Sequence, residues 1–101
     1  MADSAYVIAA VEVDDWDAYR NDYLPTTLER IEANGGEMLV GTDEVERLEG
    51  EWPANWTVVI EFPSAEHAHD FFDDEEYAEV VGVRHEAADS TIVLAPGFDA
   101  E

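Results

Sequence analysis

The 101-residue sequence predicts an α+β fold with the element order β-α-β-β-α-β. Three observations carry that prediction. Two stretches, Ala5–Val13 and Trp56–Phe62, are apolar at nearly every position, as strands covered on both faces must be. Each is followed by apolar residues at helical spacing, one run opening at Asp14-Asp15 and the other at Ser64. Shorter strand-like segments stand between the two halves and at the end of the chain.

The first strand sets Ala5, Val7, Ala9, Val11 and Val13 on one face and Tyr6, Ile8, Ala10 and Glu12 on the other. Asp14 or Asp15 then caps a helix whose acidic first turn suits the helix dipole. Its stripe runs Trp16, Tyr19, Tyr23, Leu24, Leu28 and Ile31 and stops at Asn34-Gly35-Gly36. Pro25 lies inside that stripe and is expected to kink or split the helix near residues 21–24. Residues 37–40 read as a short strand, with a turn or bulge at Gly41-Thr42-Asp43. Residues 44–49 alternate with uncertain register, and their acids suit a charged edge strand. A loop over residues 50–55 leads into the second apolar strand. That strand sets Trp56, Val58, Ile60 and Phe62 against Thr57, Val59 and Glu61.

Ser64 caps the next helix, which carries Ala65, Ala68, Phe71 and Phe72. A break and recap is expected at Asp73 or Asp74, since Asp73 and Glu76 have capping-box spacing. Tyr77, Val80, Val81, Arg84 and Ala88 then share a helical face. Residues 90–95 form the last strand, stopped by Pro96-Gly97. The expectation is one domain over residues 4–96 and a loose tail over 97–101. This order is the ferredoxin-like pattern: a four-stranded antiparallel sheet with helices on one face. Its first and third strands are central, and here both have two apolar faces. Helices cover only one, so the other calls for a second copy, a homodimer packed through its sheet faces.

Charge is the loudest compositional feature. Twenty-six Asp and Glu face four Arg, with no Lys, for a net charge of −22. On so small a body this is strong self-repulsion, which molar salt screens by shortening the Debye length to about 3 Å. The acids are spread along the whole chain, a pattern that fits a halophilic, salt-rich cytoplasm. The same charge argues against nucleic acid and anionic membranes as partners, because phosphate recognition needs Lys and Arg clusters. Without cysteine there is neither a disulfide framework nor a thiolate site. No apolar run approaches the roughly 20 residues of a membrane span, and residues 1–4 lack signal-peptide features. A cytoplasmic location is the expectation.

Several motifs together resemble the domain-of-unknown-function 1330 family. They are Tyr6-Val7-Ile8 with Val11-Glu12-Val13, Trp52-Pro53, Val59-Ile60-Glu61-Phe62-Pro63-Ser64, Glu76-Tyr77 and Arg84. The resemblance spans roughly residues 4–96. It implies membership of the dimeric α+β barrel superfamily, which includes cofactor-free antibiotic-biosynthesis monooxygenases, muconolactone isomerases and haem peroxidases. The family has no settled activity, so what it implies is fold and dimer more than reaction.

Arg84 is the most informative residue, because a guanidinium stays charged and must be paired if buried. Glu12 and Glu61 near the strand ends are its expected partners, either as a structural ion pair or at the edge of a ligand cavity. Tyr19 and Tyr23, with Trp16 and Arg20, form a second cluster able to orient a small organic ligand, although such stripes are also ordinary core. The expected pocket is lined by Tyr6, Glu12, Tyr19, Tyr23, Glu61 and Arg84. Glu61 and Arg84 are the expected catalytic pair, with Glu61 or Glu12 as the proton-transfer carboxylate. His67, His69 and His85 lack metal-ligand spacing, and a haem role for His85 enters only through the resemblance. No phosphate loop, dinucleotide fingerprint, zinc signature or nucleophile elbow is present, so no cofactor and no metal are expected. The two readings are a small-molecule pocket, monooxygenase- or isomerase-like by resemblance, and a non-catalytic dimeric module with a structural Arg84–Glu pair.

Overall fold

Four antiparallel strands form one sheet in the order β2-β3-β1-β4. A computed structural model of the chain describes residues 3–98. The strands are β1 (Ala5–Val13), β2 (Glu37–Thr42), β3 (Trp56–Phe62) and β4 (Ala88–Pro96). The two apolar strands are central, as the sequence predicts. Between β1 and β2 run α1 (Trp16–Ala18), a π-helical turn (Tyr19–Tyr23) and α2 (Leu24–Ala33). Between β3 and β4 lie α3 (Ala65–Phe72), α4 (Glu75–Ala78) and α5 (Val81–Ala87). The Cα trace measures 44 × 38 × 16 Å, so the molecule is a flat plate.

The register explains which residues face the helices. Val7 pairs with Ile60, and Ala9 pairs with Val58 on one side and Ile92 on the other. These residues carry the core together with Phe62, Phe71, Tyr77 and Ile31. Opposite pleats point away from the helices. There Val40, Val59, Ile8 and Val93 form one row across all four strands. Val40 and Val93 in that row are 39% and 52% exposed, so among the described residues nothing fully covers this apolar face. Among the described residues, no helix is long and apolar enough to cross a membrane.

Pro25 acts as expected, but the helix accommodates it without splitting. Proline has no N–H for the usual bond four residues back, and its ring crowds that carbonyl. The chain absorbs an extra residue just before it, and the Leu24 N–H bonds to the Tyr19 carbonyl five residues back. In an α-helix each step of four overshoots a full turn by about 40°, so residues 19 and 31 would diverge by about 120°. One absorbed residue takes back about 100°. Tyr19, Tyr23, Thr27 and Ile31 are therefore all buried in line. The same rotation overturns the expectation for Leu28, which is 45% exposed while Thr27 takes the inward position.

Other expectations need correction. Residues 44–49 form no edge strand; the segment between Thr42 and Trp56 is irregular, held in part by Trp52 Nε1 donating to Thr57 Oγ1 at 2.9 Å. Of the two caps expected, Asp73 or Asp74, it is Asp74 that recaps the helix, accepting from the Glu76 and Tyr77 amides at 2.9 and 3.0 Å. The expected single face from Tyr77 to Ala88 is broken between α4 and α5. Residues 99–101 of the expected tail lie outside the described residues, while Phe98 is exposed.

Among the glycines, Gly36 leaves the least room for a side chain, between the helical layer and the sheet. A Cβ there would stand 2.6 Å from the Phe62 ring and 2.9 Å from Ile31 Cγ2. Phe62 is fully buried and packs on Phe71 at 5.7 Å between centroids, so it has little room to yield. We predict that Gly36→Ala destabilises the fold by about 1–3 kcal/mol. Thermal unfolding should register this as a lowered midpoint; an unchanged midpoint would show that the ring moves freely.

Candidate functional site

A cavity of about 40 Å³ lies between the inner face of the sheet and the helices. That is room for about three water molecules. Its floor is Val7, Ala9, Val58, Ile60 and Ile92, and its roof carries Tyr19, Tyr23, Thr27, Tyr77 and Arg84. The π turn supplies Tyr19 and Tyr23, α4 supplies Tyr77 and α5 supplies Arg84. Among the described residues no carboxylate lines it.

Tyr77 is fixed from outside the cavity. Asp74 caps its helix and also takes a forked ion pair from Arg30, with Nε to Oδ1 at 3.1 Å and Nη2 to Oδ2 at 2.9 Å. Asn34 Nδ2 donates to the same carboxylate at 3.1 Å. Arg30 and these amide donors hold the Asp74 carboxyl well below the usual carboxylate range. The end of α2 is thereby tied to the start of α4. Inside, the Tyr23 and Tyr77 hydroxyls lie 2.7 Å apart in a buried hydrogen bond. Thr27 Oγ1 closes the local network by donating to the Tyr23 carbonyl at 2.7 Å.

Tyr19 and Tyr23 stay neutral over a wide pH range. Burial pushes the Tyr19 hydroxyl up to about 12, against an opposing pull from the Arg84 charge. Burial and then Tyr77 push Tyr23 further in the same direction. Tyr19 and Tyr23 therefore face the cavity as O–H groups rather than as phenolates.

Arg84 does not pair with Glu12 or Glu61. The central strands place those acids on the opposite face of the sheet from the helices. Glu61 instead accepts from the Tyr6 hydroxyl at 2.8 Å, its direct cross-strand neighbour. Glu12 takes a contact from Asn55 Nδ2 at 3.3 Å. Among the described residues no carboxylate stands within ion-pair distance of Arg84. Its guanidinium lies 6.0 Å from the Tyr23 ring centroid, its Nη2 is 3.5 Å from His85 Nε2, and its Nε is buried without a partner.

The six expected lining residues thus divide. Tyr19, Tyr23 and Arg84 line the cavity; Tyr6, Glu12 and Glu61 do not. Sequence reasoning did not include Tyr77 or Thr27 in the pocket. Tyr77 was on Arg84's expected face, while Thr27 could be found only by recognising the π turn. Arg20 stacks over Trp16 at 4.9 Å, as its spacing suggests. His85 is exposed and outside the cavity lining, and a 40 Å³ space does not fit a haem. Among the described residues no group of three or more His, Asp or Glu is arranged to hold a metal ion.

The strand order and the helices on one sheet face place the chain among ferredoxin-like α+β folds. More specifically, the chain belongs to the DUF1330 family, a domain of unknown function, whose model matches residues 4–98. A protein of unknown function from Rhodopseudomonas palustris shares the fold at a TM-score of 0.78 and 19% identity, over 98% of this chain and 85% of that one. A conserved protein of unknown function from Bacteroides thetaiotaomicron, suggested to be an oxidoreductase, superposes at 0.66 with 14% identity, over 96% and 100% of the two chains. A protein from Nitrosomonas europaea, provisionally assigned to the antibiotic biosynthesis monooxygenases, gives 0.64 at 9% identity, over 99% and 95%. At these identities the likeness is one of fold. No curated protein matches the sequence.

The tyrosine pair gives a direct test of the roof. Tyr23→Phe or Tyr77→Phe leaves the other hydroxyl buried alone, and each should cost about 1–3 kcal/mol. The double variant removes both groups and should cost clearly less than the two single losses combined. Strictly additive losses in urea unfolding would show that the two hydroxyls do not depend on each other.

Proposed function

We propose that this protein binds a small organic molecule in the cavity between the inner sheet face and the helices. The observation that carries the proposal is the pairing of an apolar floor with a polar roof of three phenols, a threonine and a guanidinium. Most binding sites have that composition: largely apolar walls and a few placed polar groups. The π turn adds support, because such turns recur at functional sites. With Glu12 and Glu61 behind the sheet, proton transfer by either carboxylate inside the cavity is not part of this reading. Oxygenase or isomerase chemistry enters only by resemblance of fold. A cavity of about 40 Å³ admits only a very small ligand unless the roof moves. The roof is built from short pieces, with α4 four residues long and α5 seven, which suits movement of that kind.

The outer sheet face supports a homodimer. Its row of Val40, Val59, Ile8 and Val93 is continuous and uncovered, and the Tyr6–Glu61 pair lies beside it. A second copy offers the same row for sheet-on-sheet packing. Salt assists by screening two highly negative bodies. This is the halophilic reading carried to its consequence.

Two measurements check these proposals. Fragment titrations followed by methyl NMR should perturb Val7, Ile60 and Ile92, and Ala9→Val should abolish the response by filling the floor. Persistence of the same shifts in that variant would place binding elsewhere. Sedimentation in molar salt should give a dimer for the native chain and a folded monomer for Val59→Asp; a monomeric native chain would refute the interface.

A further inference from the structure

We propose that the ligand of this cavity is a small organic anion, a carboxylate on an apolar body, and that Arg84 is its anchor. The inference rests on the cavity reading above and gives it a substrate class. It starts from how the chain distributes its four arginines among 26 acids. Arg30 pairs with Asp74 at 2.9 Å and Glu76 at 3.6 Å, and Arg47 pairs with Glu51 at 3.0 Å. Arg20 stacks on Trp16 in the open. Arg84 is the arginine that lines the cavity, and among the described residues it has no carboxylate partner. In a chain this acidic, a carboxylate would be the most available neighbour for any guanidinium. The fold instead surrounds Arg84 with phenols and aliphatic side chains.

The hydrogen-bond inventory points the same way. Arg84 offers only donors, and its Nε–H is buried and unused. In the Tyr23–Tyr77 pair one hydroxyl donates to the other, so one hydrogen of the two remains for a third group. Tyr19 also retains its proton. With no carboxylate in the lining, the cavity is rich in donors and holds a permanent positive charge. Its complement is an acceptor with negative charge, and a carboxylate matches the guanidinium fork in two parallel bonds. The apolar floor of Val7, Ala9 and Ile60 accepts the remainder of the molecule.

The test compares matched probes that differ only in charge: isobutyrate with isobutyramide, and benzoate with benzamide. Binding is read in the native protein through the floor methyls and the Arg84 Nε–H resonance. Each acid should bind at least ~10-fold more tightly than its amide and shift that resonance. Arg84→Gln should erase the preference, and Arg84→Lys should retain part of it. If acid and amide bind equally while the floor methyls respond, the anion proposal fails and the cavity reading stands. If neither probe reaches the floor methyls, both fail. Should the variants fold poorly, the native Nε–H response still decides: no shift on acid binding overturns the role of Arg84.

Discussion

Pro25 sets the geometry of the helical layer. Lacking an amide hydrogen, it cannot join a regular α-helix at its position without loss, and the preceding turn widens to take in one more residue. That widening makes a strict spacing of four behave as a straight line. Tyr19, Tyr23, Thr27 and Ile31 then all meet the sheet. Without it, Thr27 and Ile31 would wind progressively away from the face that carries Tyr19 and Tyr23. Arg30, one position before Ile31, is left facing α4, where its pair with Asp74 fixes Tyr77. A single missing hydrogen thus leads, through helix phase, to the composition of the cavity.

The sheet explains why an arginine could be kept from carboxylates in so acidic a chain. On the central strands, the inward positions from Ala5 to Val13 and from Trp56 to Phe62 include no acid. The acids of those strands, Glu12 and Glu61, occupy the other pleat. A side chain entering from α5 over this face therefore meets aliphatic groups below and tyrosines around it. Burial of a charge in such surroundings is costly, and a nearby ring offsets only part of that cost. The arrangement makes sense if the charge has another role than holding helix to sheet.

Much of this was legible in the sequence. Strand order followed from two stretches apolar on both faces, and helix boundaries from Ser64, from the acids before Trp16 and from Asn34-Gly35-Gly36. Tyr19, Tyr23 and Arg84 emerged from helical spacing alone. Alternation also put Tyr6, Glu12 and Glu61 together on one pleat, correctly. What it left open was which pleat the helices cover, because Val7 and Val58 on one side look much like Ile8 and Val59 on the other. The expected pairing of Arg84 with a glutamate failed at that point. Thr27 and Leu28 exchanged places for a different reason: helical periodicity presumes a constant turn, and the π insertion changes its phase. The alternating residues 44–49 show a third limit, since a strand pattern forms a strand only where a partner edge is available to it.

Charge on this molecule acts at two ranges, and the two oppose each other at the cavity. The field of −22 extends about 10 Å at ordinary ionic strength and repels any approaching anion. The attraction of a guanidinium for a carboxylate operates at hydrogen-bond distance. Raising salt to the molar range shortens the field to about 3 Å while leaving a partly buried contact largely intact. The same screening would relieve repulsion between two copies in the proposed pairing through the Val40–Val59–Ile8–Val93 row. On the dimer and anion proposals, the conditions that let two such plates stack are those in which a small anion reaches Arg84. The acidic surface and the half-buried arginine are therefore compatible with the salt-rich setting proposed from composition.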